Sequence, residues 1–286
     1  MEELISEILK RKPNRLLLQL PEGLKARAIE IIEKIEQKNI EVFLSADPCY
    51  GACDLRVHEA EMLGCDIIVH IGHNKFYKNI KSRIPVLYYP WKIDIGSFDF
   101  SAIKEKKIGL ITTIQHLHEM KKIAEQMKKQ GKEPVIGGQI LGCWTDNARK
   151  IEKKIDAFLF VGSGRFHSLA LKEKPVYALD IEKNRIEKID TALFEKKRFA
   201  RIYKCREAKT FGILVSSKPG QMEIKKALAV KKSLERKDKK AFVLIMDEIN
   251  DSKLFMFDAY VNTACPRLTD DSFSKPIINA DDVNLL

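Results

Sequence analysis

Apolar runs of four to six residues recur along the chain, separated by stretches in which apolar and charged residues keep helical spacing. Residues 15–20 (RLLLQL), 41–44 (EVFL), 66–71 (DIIVHI) and 85–90 (PVLYYP) are such runs. Their shortness, apolar content and bounding turn residues read as buried strands. Between the first two lies 25–38, whose apolar positions predict an amphipathic helix. A short helix over 56–63 precedes the third run. The same order then returns, with strands at 107–112, 133–137, 156–161 and 175–179 and helices over 116–130 and 146–154. Gly131 is placed to stop the first of these helices. A third pass has strands at 210–215, 240–246, 257–262 and 275–279, with a helix over 221–236.

Two markers align across the passes. Asp66, Asp156 and Asp258 each open a third strand, and Pro85, Pro175 and Pro276 each open a fourth. Strands that alternate with helices imply parallel βαβ units. The expectation is an α/β protein of three repeated small domains around a pseudo-threefold site. Each domain would be a four-stranded, mostly parallel sheet flanked by helices. They would span 1–100, 101–200 and 201–286, with boundaries in the charged stretches 97–106 and 194–209.

Composition narrows the class. The chain has 286 residues, 45% hydrophobic and 32% charged, which suits a soluble globular protein with a sizeable core. No apolar run approaches the ~20 residues of a membrane span. The acidic start MEELISE lacks a signal-peptide pattern, so a cytoplasmic location is expected and no membrane partner. The six cysteines, at 49, 53, 65, 143, 205 and 265, then read as thiols rather than a disulfide framework. The net charge of +11, from 51 Lys and Arg against 40 Asp and Glu, favours acidic partners. Lysines that pair with glutamates along helix faces give the plainer account of it. No stretch interleaves aromatic with basic residues, so nucleic acid is disfavoured as a partner.

The candidate chemistry is sulfur chemistry at strand ends, where ligands bind in parallel sheets. The stretch DPCYGACD (47–54) follows the second strand of the first copy. Cys53 and Cys143 follow second strands, and Cys265 follows a third strand, at the place held by His73 and Ser163 in the other copies. Three converging thiolates suit a soft metal. A structural zinc site wants four protein ligands, and a cubane iron–sulfur cluster usually has four cysteines. With three, one iron is left open to substrate. The competing reading is three unrelated buried cysteines, because cysteine packs as a small hydrophobe. Cys49 rivals Cys53 as ligand; Cys65 reads as core, and Cys205 as incidental in a basic linker.

Gly162-Ser163-Gly164 can bring backbone N–H groups close to a carboxylate or ribose, or can simply be a tight turn. The turn QLPEGL (19–24) carries Glu22 and Gly23; Glu22 can accept from an ammonium or hydroxyl, or be a helix-start acid. His73 and His167 sit at strand ends as ligand contacts or as structural histidines. His116 and His118 lack a HExxH pattern and read as an exposed helix start.

DPCYGACD (47–54), GGQILGC (137–143) and ACPRL (264–268) resemble the diphthamide biosynthesis enzymes of archaeal type. LPEGL (20–24), HIGH (70–73) and GSGRFH (162–167) are also similar to that family's motifs, and the resemblance runs from about 15 to 279. It implies an atypical radical S-adenosylmethionine transferase. Cys53, Cys143 and Cys265 would hold a [4Fe-4S] cluster whose fourth iron faces S-adenosylmethionine, the cosubstrate. Cleavage would yield methylthioadenosine and a 3-amino-3-carboxypropyl radical. That fragment is added to C2 of a histidine of translation elongation factor 2, the first step toward diphthamide. Glu22, Gly23, His73, Gly162, Gly164 and His167 are the expected cofactor contacts. A homodimer and a separate electron donor are implied too. The sequence departs from a clean match in its extra Cys49 and in a third copy that ends soon after Asn279.

Two rival readings are a quinolinate synthase-like enzyme, which would use the open iron as a Lewis acid, and a basic ribosome- or RNA-associated scaffold with structural cysteines.

Overall fold

Leu16, Leu17 and Leu18 are each at most 1% exposed, the signature of a strand covered on both faces. The structure, a computed structural model, describes residues 1–164, 166–171 and 173–286, apart from the side chain of Asp270. The first sheet is built from α1 (Glu2–Leu9), β1 (Arg15–Gln19), α2 (Glu22–Lys25), α3 (Ala28–Glu36), β2 (Glu41–Leu44), α4 (Val57–Met62), β3 (Ile67–Ile71) and β4 (Val86–Tyr89). Its strand order is β2-β1-β3-β4, all parallel. Leu16 and Leu18 pack with Leu4 and Ile8 of α1 and with Ile31 and Ile35 of α3. Leu17, one residue out of phase, packs instead with Leu55, Ala60, Cys65 and Ile68, as alternation along a strand requires.

The second sheet follows from β5 (Lys107–Thr112), α5 (Met120–Lys129), β6 (Glu133–Gln139), α6 (Asp146–Ile151), β7 (Ala157–Val161), α7 (Phe166–Leu169), β8 (Val176–Asp180) and β9 (Arg185–Lys188). The third follows from α8 (Thr191–Arg206), β10 (Thr210–Ser216), α9 (Ile224–Glu235), β11 (Lys240–Met246), β12 (Ala259–Asn262) and β13 (Ile277–Asn279). Their orders, β6-β5-β7-β8-β9 and β11-β10-β12-β13, repeat the first sheet's pattern with β9 added. In every sheet the second and third strands flank the first, so the direction of winding reverses beside the first strand. The loops at that switch point form the usual ligand crevice. Two compact units emerge, Met1–Lys92 with Lys218–Gln221, and Ile93–Ser217 with Met222–Leu286.

The aligned aspartates and prolines have physical reasons. Asp66 Oδ2 accepts from the amides of Asn14 and Arg15, at 2.8 and 2.9 Å. Asp156 Oδ2 accepts from Lys107 at 3.1 Å, and Asp258 Oδ2 from Lys209 and Thr210 at 3.1 and 2.9 Å. In each sheet, therefore, a carboxylate at the start of the third strand caps the amides that open the first. The Arg15 amide foremost holds the Asp66 carboxyl below its usual range, and the Thr210 hydroxyl does so for Asp258. The carbonyls of Pro85, Pro175 and Pro276 accept from Ile68, Phe158 and Tyr260, each at 2.9 Å. A proline lacks a donor and suits the first residue of a strand.

Several expectations change. β9 is a fifth, antiparallel strand paired with β8; the turn before it places Asn184 at φ +48, which asparagine tolerates. The expected boundary stretch 194–209 is helical as far as Arg206, within α8, which is capped where Asp190 Oδ1 accepts from Leu193 at 2.9 Å. Ile202 and Cys205 face inward from it. Cys205 is 0% exposed and packs with Phe211 and Val215, so it is a core residue, not an incidental one. Its apolar stripe is narrow and hidden among lysines and arginines. His116 is buried rather than exposed; its Nδ1 lies 3.1 Å from the Ile93 carbonyl. The helix expected over 25–38 is split into α2 and α3, and the one over 116–130 opens with a 3-10 turn, Ile114–Glu119. α5 does stop at Gly131, with φ +79.

Candidate functional site

Gln19, the last residue of β1, organises the carboxyl end of the first sheet. It is 1% exposed, and its Nε2 donates to the carbonyl of Asp54. Its Oε1 therefore faces His70 Nδ1 at 3.1 Å, and the Arg56 amide also points at it, at 3.4 Å. An acceptor there requires His70 to carry its hydrogen on Nδ1. His70 Nε2 then accepts from His73 Nδ1 at 3.0 Å. The His70 tautomer thus makes His73 Nδ1 the donor of that pair. Burial foremost, with the His73 ring adding, pushes His70 down to about 3, so His70 is neutral at neutral pH.

The cysteine loop leaves β2 beside this relay. Lys25 of α2 holds it from one side, donating to the carbonyls of Ala46 and Asp47 at 2.7 and 3.2 Å. Lys25 also pairs with Glu22 at 2.6 Å, and the Glu22 side chain is 60% exposed. Gly23 has open space where a Cβ would project. Gly72, just before His73, has φ +93, and a Cβ there would lie 2.8 Å from Pro21. That close approach brings the turns after β1 and β3 together. Asp54 is buried beside two cations, Lys218 at 3.0 Å and Arg56 at 3.5 Å, as a buried carboxylate requires. Lys218 also sits over the Tyr50 ring at 4.7 Å.

The second unit holds the other candidates. Cys143 is exposed on the turn between β6 and α6, where Leu141 and Trp144 bridge. Gly142 donates its amide to His167 Nδ1 at 2.9 Å, so His167 carries its hydrogen on Nε2. Burial pushes His167 down to about 4, leaving a neutral donor. Gly162 spends its amide on the Leu179 carbonyl at 3.2 Å, whereas Gly164, at φ +77, has open space beside it. Arg165 of the same motif lies outside the described residues. Cys265 is partly exposed. Its carbonyl accepts from Asn262 Nδ2 at 2.8 Å, and Asn262 Oδ1 accepts from Ala264 at 2.9 Å. Asn262 in turn meets Asn279 at 2.9 Å.

Burial sorts the six cysteines. Cys49, Cys65 and Cys205 are 3%, 6% and 0% exposed, while Cys53, Cys143 and Cys265 all reach solvent. Burial foremost, with Asp54 adding, pushes the Cys49 thiol up to about 12. That thiol stays protonated at neutral pH, and metals bind thiolates. Cys49 Sγ does come within 4.8 Å of ring nitrogens of His70 and His73. Cys53, Cys143 and Cys265 are each a solvent-reaching thiol on a strand-end loop, the donor type that holds iron–sulfur clusters. Gln19, Asn262 and Lys218–Gln221 were not anticipated. The last has a signal in Pro219-Gly220 after the third copy's first strand, the place held by Pro21 to Gly23 in the first.

Residues 20–286 match the profile of the diphthamide synthesis protein family. The 2-(3-amino-3-carboxypropyl)histidine synthase of Pyrococcus horikoshii is 35% identical, over 99% of this chain and 89% of its own length. The Methanocaldococcus jannaschii synthase of the same name is 32% identical, over 99% and 88%. The crystal structure of Dph2 from Pyrococcus horikoshii with a 4Fe-4S cluster superposes with a TM-score of 0.90 at 34% identity, covering 99% of this chain and 89% of that one.

Proposed function

The chain belongs to the diphthamide synthesis protein family, and from that premise we propose that it is a 2-(3-amino-3-carboxypropyl)histidine synthase, a transferase acting in the first step of diphthamide formation. The observation that carries this reading is the full-length likeness to a Dph2 whose crystal structure holds a 4Fe-4S cluster. Cys53, Cys143 and Cys265 are the proposed cluster ligands, one from each of the three sheets, which we read as repeats over 1–100, 101–200 and 201–286. The exposure of these three thiols and the burial of the other three support the choice, and support Cys53 over Cys49.

A bound [4Fe-4S] cluster would supply the electron that cleaves the bond from the S-adenosylmethionine sulfur to the methionine γ-carbon, leaving methylthioadenosine and a 3-amino-3-carboxypropyl radical; addition of that radical at C2 of the substrate histidine is completed by loss of the C2 hydrogen as a proton and return of one electron. The protein's own work is to fix which sulfonium bond is presented. His73, at the end of the relay from Gln19, is a proposed contact of S-adenosylmethionine; His167, with Nε2–H as donor, suits its carboxylate. The open backbone at Gly23 and Gly164 and the exposed Glu22 supply further polar contacts. Gly162 contributes shape, since its amide is used by the sheet.

The protein substrate is read as translation elongation factor 2, with the +11 charge favouring an acidic partner. A homodimer, a separate electron donor and a cytoplasmic location belong to the same reading. Among the described residues no helix is long and apolar enough to cross a membrane. The family match weighs against both the quinolinate synthase-like and the RNA-scaffold readings.

Anaerobic purification should give a brown protein with about four irons per chain, the content of one cubane cluster. Cys53→Ala, Cys143→Ala and Cys265→Ala should each lose iron, and Cys49→Ala should keep it. Reduced protein mixed with S-adenosylmethionine should release methylthioadenosine. A protein that binds iron but releases none would sink the proposed chemistry.

A further inference from the structure

Lys218–Gln221 follows β10 in the chain yet belongs to the same compact unit as the Cys53 loop. Gly220 donates its amide to the Cys53 carbonyl at 2.8 Å. The two backbones are so close that a Cβ on Gly220 would lie 2.5 Å from Cys53 Cα. Lys218, 4% exposed, anchors the segment on Asp54 at 3.0 Å. Gln221 donates to the Lys218 carbonyl at 2.9 Å, closing the turn. What this construction presents to the sulfur is an amide nitrogen: Gln221 Nε2 lies 3.3 Å from Cys53 Sγ. A carboxamide nitrogen is a donor only, so its hydrogen points at the sulfur.

We propose that Gln221 is a positioning residue that tunes the redox potential of the cluster, through a hydrogen bond from its side-chain N–H to Cys53 Sγ. This rests on Cys53 being an iron ligand. Hydrogen bonds to the sulfurs are among the factors that set an iron–sulfur potential. The reason is electrostatic. One-electron reduction adds negative charge to the cluster and its thiolates, and a fixed N–H dipole aimed at one of those sulfurs stabilises the reduced state more than the oxidised one. Gln221 therefore makes the cluster easier to reduce. The anchor at Lys218 and the close backbone contact at Gly220 hold the backbone of the segment in register, so that the Gln221 side chain starts from a fixed point beside the sulfur.

The test is a redox titration of the anaerobic holoprotein, following the electron paramagnetic resonance signal of the reduced cluster. Gln221→Leu removes the donor at similar size; Gln221→Glu keeps the shape and cannot donate as a carboxylate. Both should retain wild-type iron and show about a tenfold lower equilibrium constant for one-electron reduction, a midpoint more negative by ~59 mV. Unchanged midpoints in both variants would overturn the inference. So would loss of iron from both, since Gln221 would then support the loop rather than tune the cluster. Cys53→Ala separates this inference from its premise. If that variant keeps its iron, the ligand assignment fails; if it loses iron while the Gln221 midpoints stay put, only the tuning fails.

Discussion

At Gly220 and Gly142 the same substitution has different costs, because the obstacles differ. A Cβ at Gly142 would meet the Phe166 ring at 2.4 Å, and a Cβ at Gly220 would meet Cys53 Cα at 2.5 Å. A ring can turn about its side-chain torsions. A Cα moves only with its chain, and here that chain is the loop carrying a proposed ligand. Gly220→Ala should therefore destabilise by about 1–3 kcal/mol, the usual cost of overpacking, and lower the iron retained after anaerobic purification. Gly142→Ala should cost less. Denaturant unfolding of the two variants beside wild type measures the difference, and equal costs would mean the Cys53 loop is more yielding than its contacts imply. Sequence left Cys49 and Cys53 as rivals four residues apart. What separates them is burial: Cys49 lies beside His70 and His73, from β3 and the turn after it, and spacing within one loop carries none of that.

The element-scale device is the aspartate that opens each third strand and caps the amides of the first. Replacing Asp66 by Ala removes the acceptor for Asn14 and Arg15 without touching the core. Amide exchange at those two positions should rise roughly tenfold, the scale of one net hydrogen bond, while exchange within β5 and β10 should not change. Asp258→Ala should do the same at Lys209 and Thr210. Wild-type exchange rates at these amides would remove the capping role. The aligned aspartates and prolines, the strand runs and the three-fold order were readable from the pattern, because each is a local requirement met by nearby residues. α8 and β9 were not. The inward face of α8 is narrow, with Ile202 and Cys205 buried among basic residues. β9 has only four residues, with an intermediate-exposed pair between exposed ends, so neither its length nor its polarity sets it apart from a loop. The relay through Gln19 was equally hidden, since its partners lie 35 and 51 residues away.

At the scale of the whole molecule, the buried histidines make stability depend on pH in a defined window. Burial foremost lowers the pKa of His70 to about 3, of His167 to about 4, and of His116 below its ordinary value. In the unfolded chain all three titrate near 6.5. Between pH 6.5 and about 4 the unfolded state thus binds protons that the folded state refuses. Stability rises with pH wherever the unfolded state holds more protons, so acidification through this window destabilises the fold. Carboxylates, with unfolded values near 4, dominate only below it; pH 5 to 6.5 isolates the imidazoles. The urea midpoint should fall steadily from pH 7 to 5. His116 lies outside the proposed site, which makes it the cleanest probe. His116→Gln removes one such group and should flatten the slope over pH 5 to 6.5. If the variant keeps the full wild-type slope, His116 is not neutral in the folded protein, and the account of the pH dependence fails with it.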